Sequence, residues 1–324
     1  MRAIGFRLGT RGSALALTQS TTVAKDLAAA SNTGYEMIKV KTEGDVTTGP
    51  LSQLGGTGVF AAALRLSLLQ GGCDVAVHSL KDLPTTQPEG LVIAATPVRA
   101  DVRDALCARD GLTLATLPLG ASVGTGSPRR SAQLRAARPD LVIVDIRGNV
   151  GTRLGRVAGS PAQADDGGVG RTAQGDLDAV VLAAAGLERL GLAEHITEYL
   201  DPAIMLPAPG QGSLAVEVRS AGAGNAAVDA ALEELDDAAT RLAVTAERAL
   251  LARLEAGCAA PIGALGRIQQ GTLTLDSVAC APDGSDTMRR SAATRELTVQ
   301  GAARLGIALA EQLLSEGAAE LAGL

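Results

Sequence analysis

The stretch IGFRLGTRGSALALTQSTTVAKDLAAA, residues 4–30, sets the reading of the fold. It begins as a strand-like run, IGFRLGT, and passes through a Gly/Arg/Ser turn into SALALTQSTTVAKDLAAA. There Ser13 stands where an N-cap is wanted and apolar residues recur at helical spacing. A strand turning through a short polar loop into a helix is the unit of α/β architecture. Outward from it, EMIKVKT reads as a strand, FAAALRLSLLQ as a helix, DVAVHSL (74–80) as a short apolar strand and LVIAATP as its follower. A second α/β set starts near Asp101: ASVGT strand, SPRRSAQLRAA helix, LVIVDI strand, NVGTRLGRV helix and DAVVLAAAG strand. After LPAPGQGSLAVEVRS (206–220) the pattern changes to helical runs at about 225–235 and 237–255, strand-like LTLDSVACAP and a last helix at about 298–316. That predicts a third unit of α+β type. Between Gly155 and Asp176, GRVAGSPAQADDGGVGRTAQG lacks apolar periodicity and reads as a mobile surface loop, with a lid as the competing reading.

The chain has 324 residues, room for two or three domains. Hydrophobic residues make up 46% but aromatics only 1%, namely Phe6, Tyr35, Phe60 and Tyr199, so the cores must be built from Ala, Val, Leu and Ile. A net charge of -6 argues against a nucleic-acid or membrane-surface binder, which needs a broad basic face, so an anionic ligand must be met locally. Cys73, Cys107, Cys258 and Cys280 lie far apart without metal-ligand spacing, which predicts neither a metal site nor a disulfide framework. With no apolar h-region at the start and no long apolar run, the expectation is a cytoplasmic protein that does not engage a membrane.

Four loops at the ends of strand-like runs share one character: GTRGSALAL (9–17), VHSLKDLPT (77–85), GTGSPRRSAQL (124–134) and DIRGNVGTRL (145–154). Each pairs Gly or Ser with Arg or Lys where α/β sheets bind ligands and helix N-termini offer free N–H groups. Arg11, Arg129, Arg130, Arg147 and Arg153 add planar forks suited to carboxylates, so the expected ligand is polyanionic. A single exposed arginine contributes little; a set spread over three such loops carries the argument. No Walker loop is present. Asp82, beside Lys81, could stabilise a developing cation or relay a proton, or merely cap the turn before Pro84. His78 reads as a strand residue facing structure and His195 as an ordinary helix residue. GGTGVF (55–60) reads equally as a turn with a core phenylalanine or as a loop laying Phe60 over a flat ligand. In ERALLARLEAGCAAPIGALG (247–266) a helix-like run stops at Gly257 before the unpaired Cys258. A buried small hydrophobe and a thiol presented at a cleft are the two readings.

These motifs, with RPDLVIVDIRGNVGTRL, DAVVLAAAGLERLGL, LPAPGQGSLAVEVR and TAERALLARLEAGCAAPIGA in the same order, resemble the porphobilinogen deaminase (hydroxymethylbilane synthase) family over nearly the whole length. The resemblance implies an α/β protein of three domains, 1–98 plus 208–222, 99–207 and 223–324. The first two would be like type II periplasmic binding proteins with crossing hinge strands, and the third a small α+β domain carrying the cofactor cysteine. It implies a dipyrromethane cofactor in thioether linkage to Cys258, onto which four porphobilinogen units are condensed before hydroxymethylbilane is released. By the same match Asp82 is catalytic, while Lys81, Ser127, Arg129 and Arg130 bind the cofactor carboxylates. Arg11, Ser13, Gln19, Phe60, Arg147, Asn149, Arg153 and Arg189 would bind substrate and the growing chain. No metal is implied, the chain would be a monomer, and the product would pass to uroporphyrinogen-III synthase. Two departures stand out: Thr57, Ala62 and Ala63 replace residues that are commonly charged in the family, and the insert after Arg156 is long. Readings from other classes are a solute-binding protein, which would not need Cys258, and a thiol-nucleophile transferase, whose base could only be His78 or His195.

Overall fold

The computed structural model describes residues 3–40, 59–159, 175–257 and 260–324, without the side chains of Val59 and Phe60. Cys258, the 55–58 loop with Thr57, most of the 155–175 insert and the Phe60 side chain lie outside the described residues. Beginning the chain are β1 (Ile4–Thr10), α1 (Ala14–Ala30), β2 (Gly34–Lys39), α2 (Val59–Leu69), β3 (Val75–Ser79) and β4 (Leu91–Ala95). A second group follows: β5 (Asp104–Ala108), β6 (Ser122–Gly124), α3 (Pro128–Ala137), β7 (Val142–Val144), α4 (Val150–Leu154), β8 (Ala179–Ala183), α5 (Ala184–Arg189) and β9 (Glu198–Tyr199). β10 (Leu214–Arg219) then precedes α6 (Ala226–Leu235), α7 (Ala238–Arg253), β11 (Ile262–Gln269), β12 (Thr272–Cys280), β13 (Thr287–Thr294), α8 (Val299–Ser315) and α9 (Ala318–Ala322).

Two five-stranded sheets repeat one plan. The first has the order β2-β1-β3-β10-β4 and the second β7-β6-β8-β5-β9. In each, four strands run in one direction, and a fifth, inserted strand, β10 or β5, pairs antiparallel with both its neighbours. Each inserted strand lies just after a crossing between sheets, so residues 96–103 and 200–213 form a double connection. The two crossings touch: Ala100 N donates to Gly212 O at 3.3 Å and Arg99 Nε to Gln211 O at 2.9 Å. Gly212, at φ +84°, is required there, because a Cβ would come within 2.7 Å of Ala100 O. This is the two-lobed α/β layout, joined by a third α+β unit, that the resemblance implied.

The first core packs α1 and α6 on the sheet through Phe6, Leu8, Val23, Leu27, Val75, Val77, Val216, Val218, Val228 and Leu232. Ser13 caps α1, its Oγ accepting from Ala16 N at 3.3 Å. Some elements escape the sequence patterns. DALCA (104–108) is the inserted strand of the second lobe, although it opens on a charged residue that a strand core would normally exclude. The DAVVLAAAG run is strand only to Ala183, where α5 starts; alanine favours helix once sheet pairing ends. His195 sits in a 3-10 turn, Ala193–His195, and not in a longer helix. β11 and β13 are strands because β12 pairs with both; β13, TMRRSAAT, is a largely exposed edge with no apolar run to announce it.

The third unit lays α7 and α8 on that sheet through Leu250, Leu254, Ile262, Leu273, Leu275, Leu309 and Leu313. The helices touch backbone to backbone at Gly306, where a methyl would overlap Ala246 O and Leu250 N. Alanine there gains about 1 kcal/mol of helix propensity. Forcing the helices apart costs about 1–3 kcal/mol, and that term dominates. Gly306→Ala should therefore lower the thermal midpoint; a rise would show that the crossing yields freely.

Candidate active site

β3 ends in a 3-10 turn, Leu80–Asp82, followed by Leu83 in the extended conformation that Pro84 demands. Leu80 and Leu83 are buried with Ala61, Ala215 and Val244, so the turn is anchored by its apolar residues and Asp82 is left exposed. A cleft opens there, lined by Asp82 and Ser79 and by Arg11, Ser13 and Gln19 at the start of α1. Gln19 is buried and its Oε1 accepts from Ser79 Oγ at 3.2 Å, which ties the helix to the strand end. His78, in the same wall, lies with Nε2 at 3.2 Å from Glu217 Oε2, and Glu217 also accepts from Arg65 and Gln87. That is the structural place the sequence suggested for His78.

The second lobe supplies the cations, arranged differently from the sequence expectation. Ser127 caps α3, and the next turn carries Arg129 and Arg130, which are buried and not exposed forks. Both clasp Asp104, which is fully buried: Arg129 Nη1 at 2.8 Å from Oδ2, Arg130 Nε at 2.9 Å from Oδ1. Burial alone would raise the Asp104 pKa, but Arg129 and Arg130 hold it far below the carboxylate range. Each also donates to a carbonyl, Arg129 Nη1 to Leu206 O at 2.7 Å and Arg130 Nη1 to Val181 O at 3.0 Å. Gln211 Nε2 donates to Asp104 Oδ1 at 2.9 Å, and its Oε1 accepts from Lys81 Nζ at 3.3 Å, so the chain of contacts reaches the Asp82 turn. Asp104 and Gln211 are the residues that sequence reasoning missed. A charged residue opening the apolar run DALCA was the available signal.

Arg147 is exposed, with Nη2 at 3.3 Å from Asp145 Oδ2. Asn149 caps α4, accepting from Thr152 N at 2.8 Å, and Arg153 Nε donates to Gly148 O at 2.8 Å. Arg189 donates to Gly212 O at 2.7 Å, which makes it a brace on the crossing segment as well as a candidate ligand group. Charge coupling shows which of these groups converge. The Arg153 pKa is pushed down by burial and then by Arg130 and Arg147, while Asp145 and Asp82 oppose the shift. Lys81 is lowered to about 8 by burial and then by Arg130, with Asp82 opposing. Asp82 is thus coupled by charge to Lys81, Arg130 and Arg153, and Arg153 to Arg147, while Arg129 turns inward to Leu206.

The donor set fits a polycarboxylate. Asp104 is shared by two guanidiniums, and Lys81 and Arg153 are depressed by burial and then by neighbouring cations, so added negative charge would relieve repulsion. Arg129 Nε is buried without an acceptor among the described residues. No group of three His, Cys, Asp or Glu among the described residues is arranged to hold a metal ion, and no described helix is long and apolar enough to cross a membrane.

Two predictions follow from this electrostatics. Asp104→Asn leaves two buried guanidiniums facing a neutral amide and should cost about 3–5 kcal/mol of stability in urea unfolding. An unchanged midpoint would show that the guanidiniums are held by their carbonyl contacts alone. Lys81 holds its proton less well folded, at about 8, than at its usual 10.5. Between those values the unfolded chain binds more protons, so the lysine's destabilising effect is complete below pH 8 and fades as pH rises. In protein free of bound anions, the melting temperature of Lys81→Met minus that of wild type should be larger at pH 7 than at pH 10. A pH-independent difference would contradict the depressed pKa.

Two family models match the chain: porphobilinogen deaminase, dipyromethane cofactor binding domain, over residues 6–226, and porphobilinogen deaminase, C-terminal domain, over 241–315. The chain is 54% identical to porphobilinogen deaminase of Micrococcus luteus, over 98% of this chain and 94% of that one. It is also 54% identical to the enzyme of that name from Cutibacterium acnes, over 98% and 97%. Among solved structures, a periplasmic substrate-binding protein of an ABC transporter from Coxiella burnetii is similar at 13% identity and a TM-score of 0.43, covering 71% of this chain and 91% of its own. With both family models in sequence order and relatives matched nearly end to end, this chain belongs to the porphobilinogen deaminase family.

Proposed function

We propose that the chain is a transferase, a hydroxymethylbilane synthase, that condenses four porphobilinogen molecules head to tail on a covalent dipyrromethane primer with loss of one ammonia each, and releases hydroxymethylbilane when water cleaves the bond between the primer and the new chain. What supports this reading is one exposed carboxylate, Asp82, in a cleft with Arg11 and Ser13, coupled by charge to Lys81, Arg130 and Arg153. When bound through Cys258, the dipyrromethane supplies the pyrrole carbon that attacks the substrate. Lys81, Ser127, Arg129 and Arg130 are the residues that would hold its carboxylates. Arg11, Ser13, Gln19, Phe60, Arg147, Asn149, Arg153 and Arg189 would hold those of substrate and growing chain.

Asp82 does the local chemistry. The substrate's aminomethyl C–N bond breaks, ammonia leaves carrying the electron pair, and positive charge spreads from the methylene carbon onto the pyrrole nitrogen. A carboxylate accepting from that N–H stabilises the charge, and as an acid Asp82 can deliver a proton to the departing amine. The new C–C bond forms as the attacking ring loses its proton, so each addition exchanges ammonia for one more ring. The domain division at 1–98 plus 208–222, 99–207 and 223–324, a monomeric state, a cytoplasmic location and transfer of product to uroporphyrinogen-III synthase belong to the same proposal.

Intact-mass measurement tests the attachment. Wild type should carry the mass of two pyrrole rings, and Cys258→Ala should fold, lack that increment and be inactive. An increment and activity retained in Cys258→Ala would place the linkage elsewhere. Asp82→Asn should keep the increment while losing about 10²- to 10⁴-fold in turnover. Asp82→Glu, which moves the charge without removing it, should retain a measurable fraction. Equal, near-normal activity in both variants would leave Asp82 as a turn cap.

A further inference from the structure

The Asp82 turn is held from the third unit. Arg248, on α7, donates from Nη1 to Leu83 O at 3.1 Å and Leu80 O at 3.5 Å, and from Nη2 to Pro84 O at 2.7 Å. These carbonyls bracket Asp82 on both sides. A turn of three residues leaves its last carbonyls without helical partners, and the rigid fork of a guanidinium can fix several of them in one plane. One turn earlier on α7, Val244 packs against Leu80 and Leu83. The preceding residue, Glu247, is fully buried and accepts from Arg99 and from Gly210 N at 2.6 Å, while Gly210 itself rests on Leu80 and Lys81. Successive residues of one helix therefore grip the crossing segment and the Asp82 turn, and the same helix ends at Arg253, shortly before Cys258 in sequence.

We propose that Arg248 is a positioning residue for the condensation: its fork sets the orientation of the Asp82 carboxylate from the helix that leads to the cofactor cysteine. The inference rests on the reading of Asp82 as the catalytic carboxylate. Without the fork, the apolar anchors keep the turn in place while the carboxylate loses its fixed direction. The step slowed is cation formation, and binding of the substrate carboxylates is left to other residues.

The test is a double-mutant cycle in cofactor-loaded protein, with loading checked by intact mass. Arg248→Met should keep the two-ring increment and a KM within a few fold of wild type while kcat falls on the order of 10²-fold, the size of effect a misplaced catalytic group produces. In an Asp82→Asn background, with residual turnover followed over hours, Arg248→Met should cost less than about threefold more, since residues acting as a unit are not additive. Arg248→Lys, a charge without the fork, should recover only part of kcat, and it carries the same cycle if the methionine variant does not fold. Losses that multiply in full, or a rise in KM alone, overturn the proposal. Normal kcat in Arg248→Met beside a severely impaired Asp82→Asn overturns this inference alone. Normal turnover in Asp82→Asn overturns the reading beneath it as well.

Discussion

The Asp104 carboxylate is the interaction on which the cleft depends. It sits at the first residue of the inserted strand of the second lobe, immediately after the chain crosses, and is fully buried. Leaving it unpaired there would be prohibitive, so α3 contributes two arginines and the return crossing contributes Gln211. The same contacts fix α3 against the start of β5, fix the return crossing against the outgoing one, and through Gln211 reach Lys81 at the turn that bears Asp82. A buried ion cluster of this kind adds little net stability relative to an apolar core, but it specifies geometry, because it is satisfied in one arrangement of its parts.

A second buried carboxylate does the equivalent work for the third unit. Glu247 accepts from Arg99 on the outgoing crossing, from Gly210 N on the return crossing and from Gly266 N of β11. The unit is also tied to the second lobe, where Gly284 packs onto the backbone of α3 and Arg289 donates to Gln133. The third unit therefore braces both lobes where they cross. α7, which precedes Cys258 in sequence, is in this way registered against the Leu80–Asp82 turn.

Lys81 and Arg153 both lie near enough to Arg130 to be repelled by it, in a chain whose net charge is -6. Most arginines elsewhere are matched by a nearby carboxylate, as in Arg7 with Asp74, Arg103 with Asp101 and Arg138 with Asp140. Near Asp82, by contrast, Lys81 and Arg153 are lowered by burial and then by other cations.

The sequence by itself determined the alternating α/β plan, the Ser13 cap, the turn carrying Asp82 and the family, because these rest on local periodicity, capping chemistry and motif order. It did not reveal β5, β11 or β13, whose pairing comes from strands distant in the chain. Nor did it show that Arg129 and Arg130 spend much of their bonding on Asp104, or that Arg189 braces Gly212. An arginine in a strand-end loop looks the same in sequence whether it faces a ligand or a buried carboxylate twenty-five residues away along the chain. Only the tertiary structure decides between them, because burial sets the cost of leaving a charge alone and the fold sets which partner is near enough to prevent it.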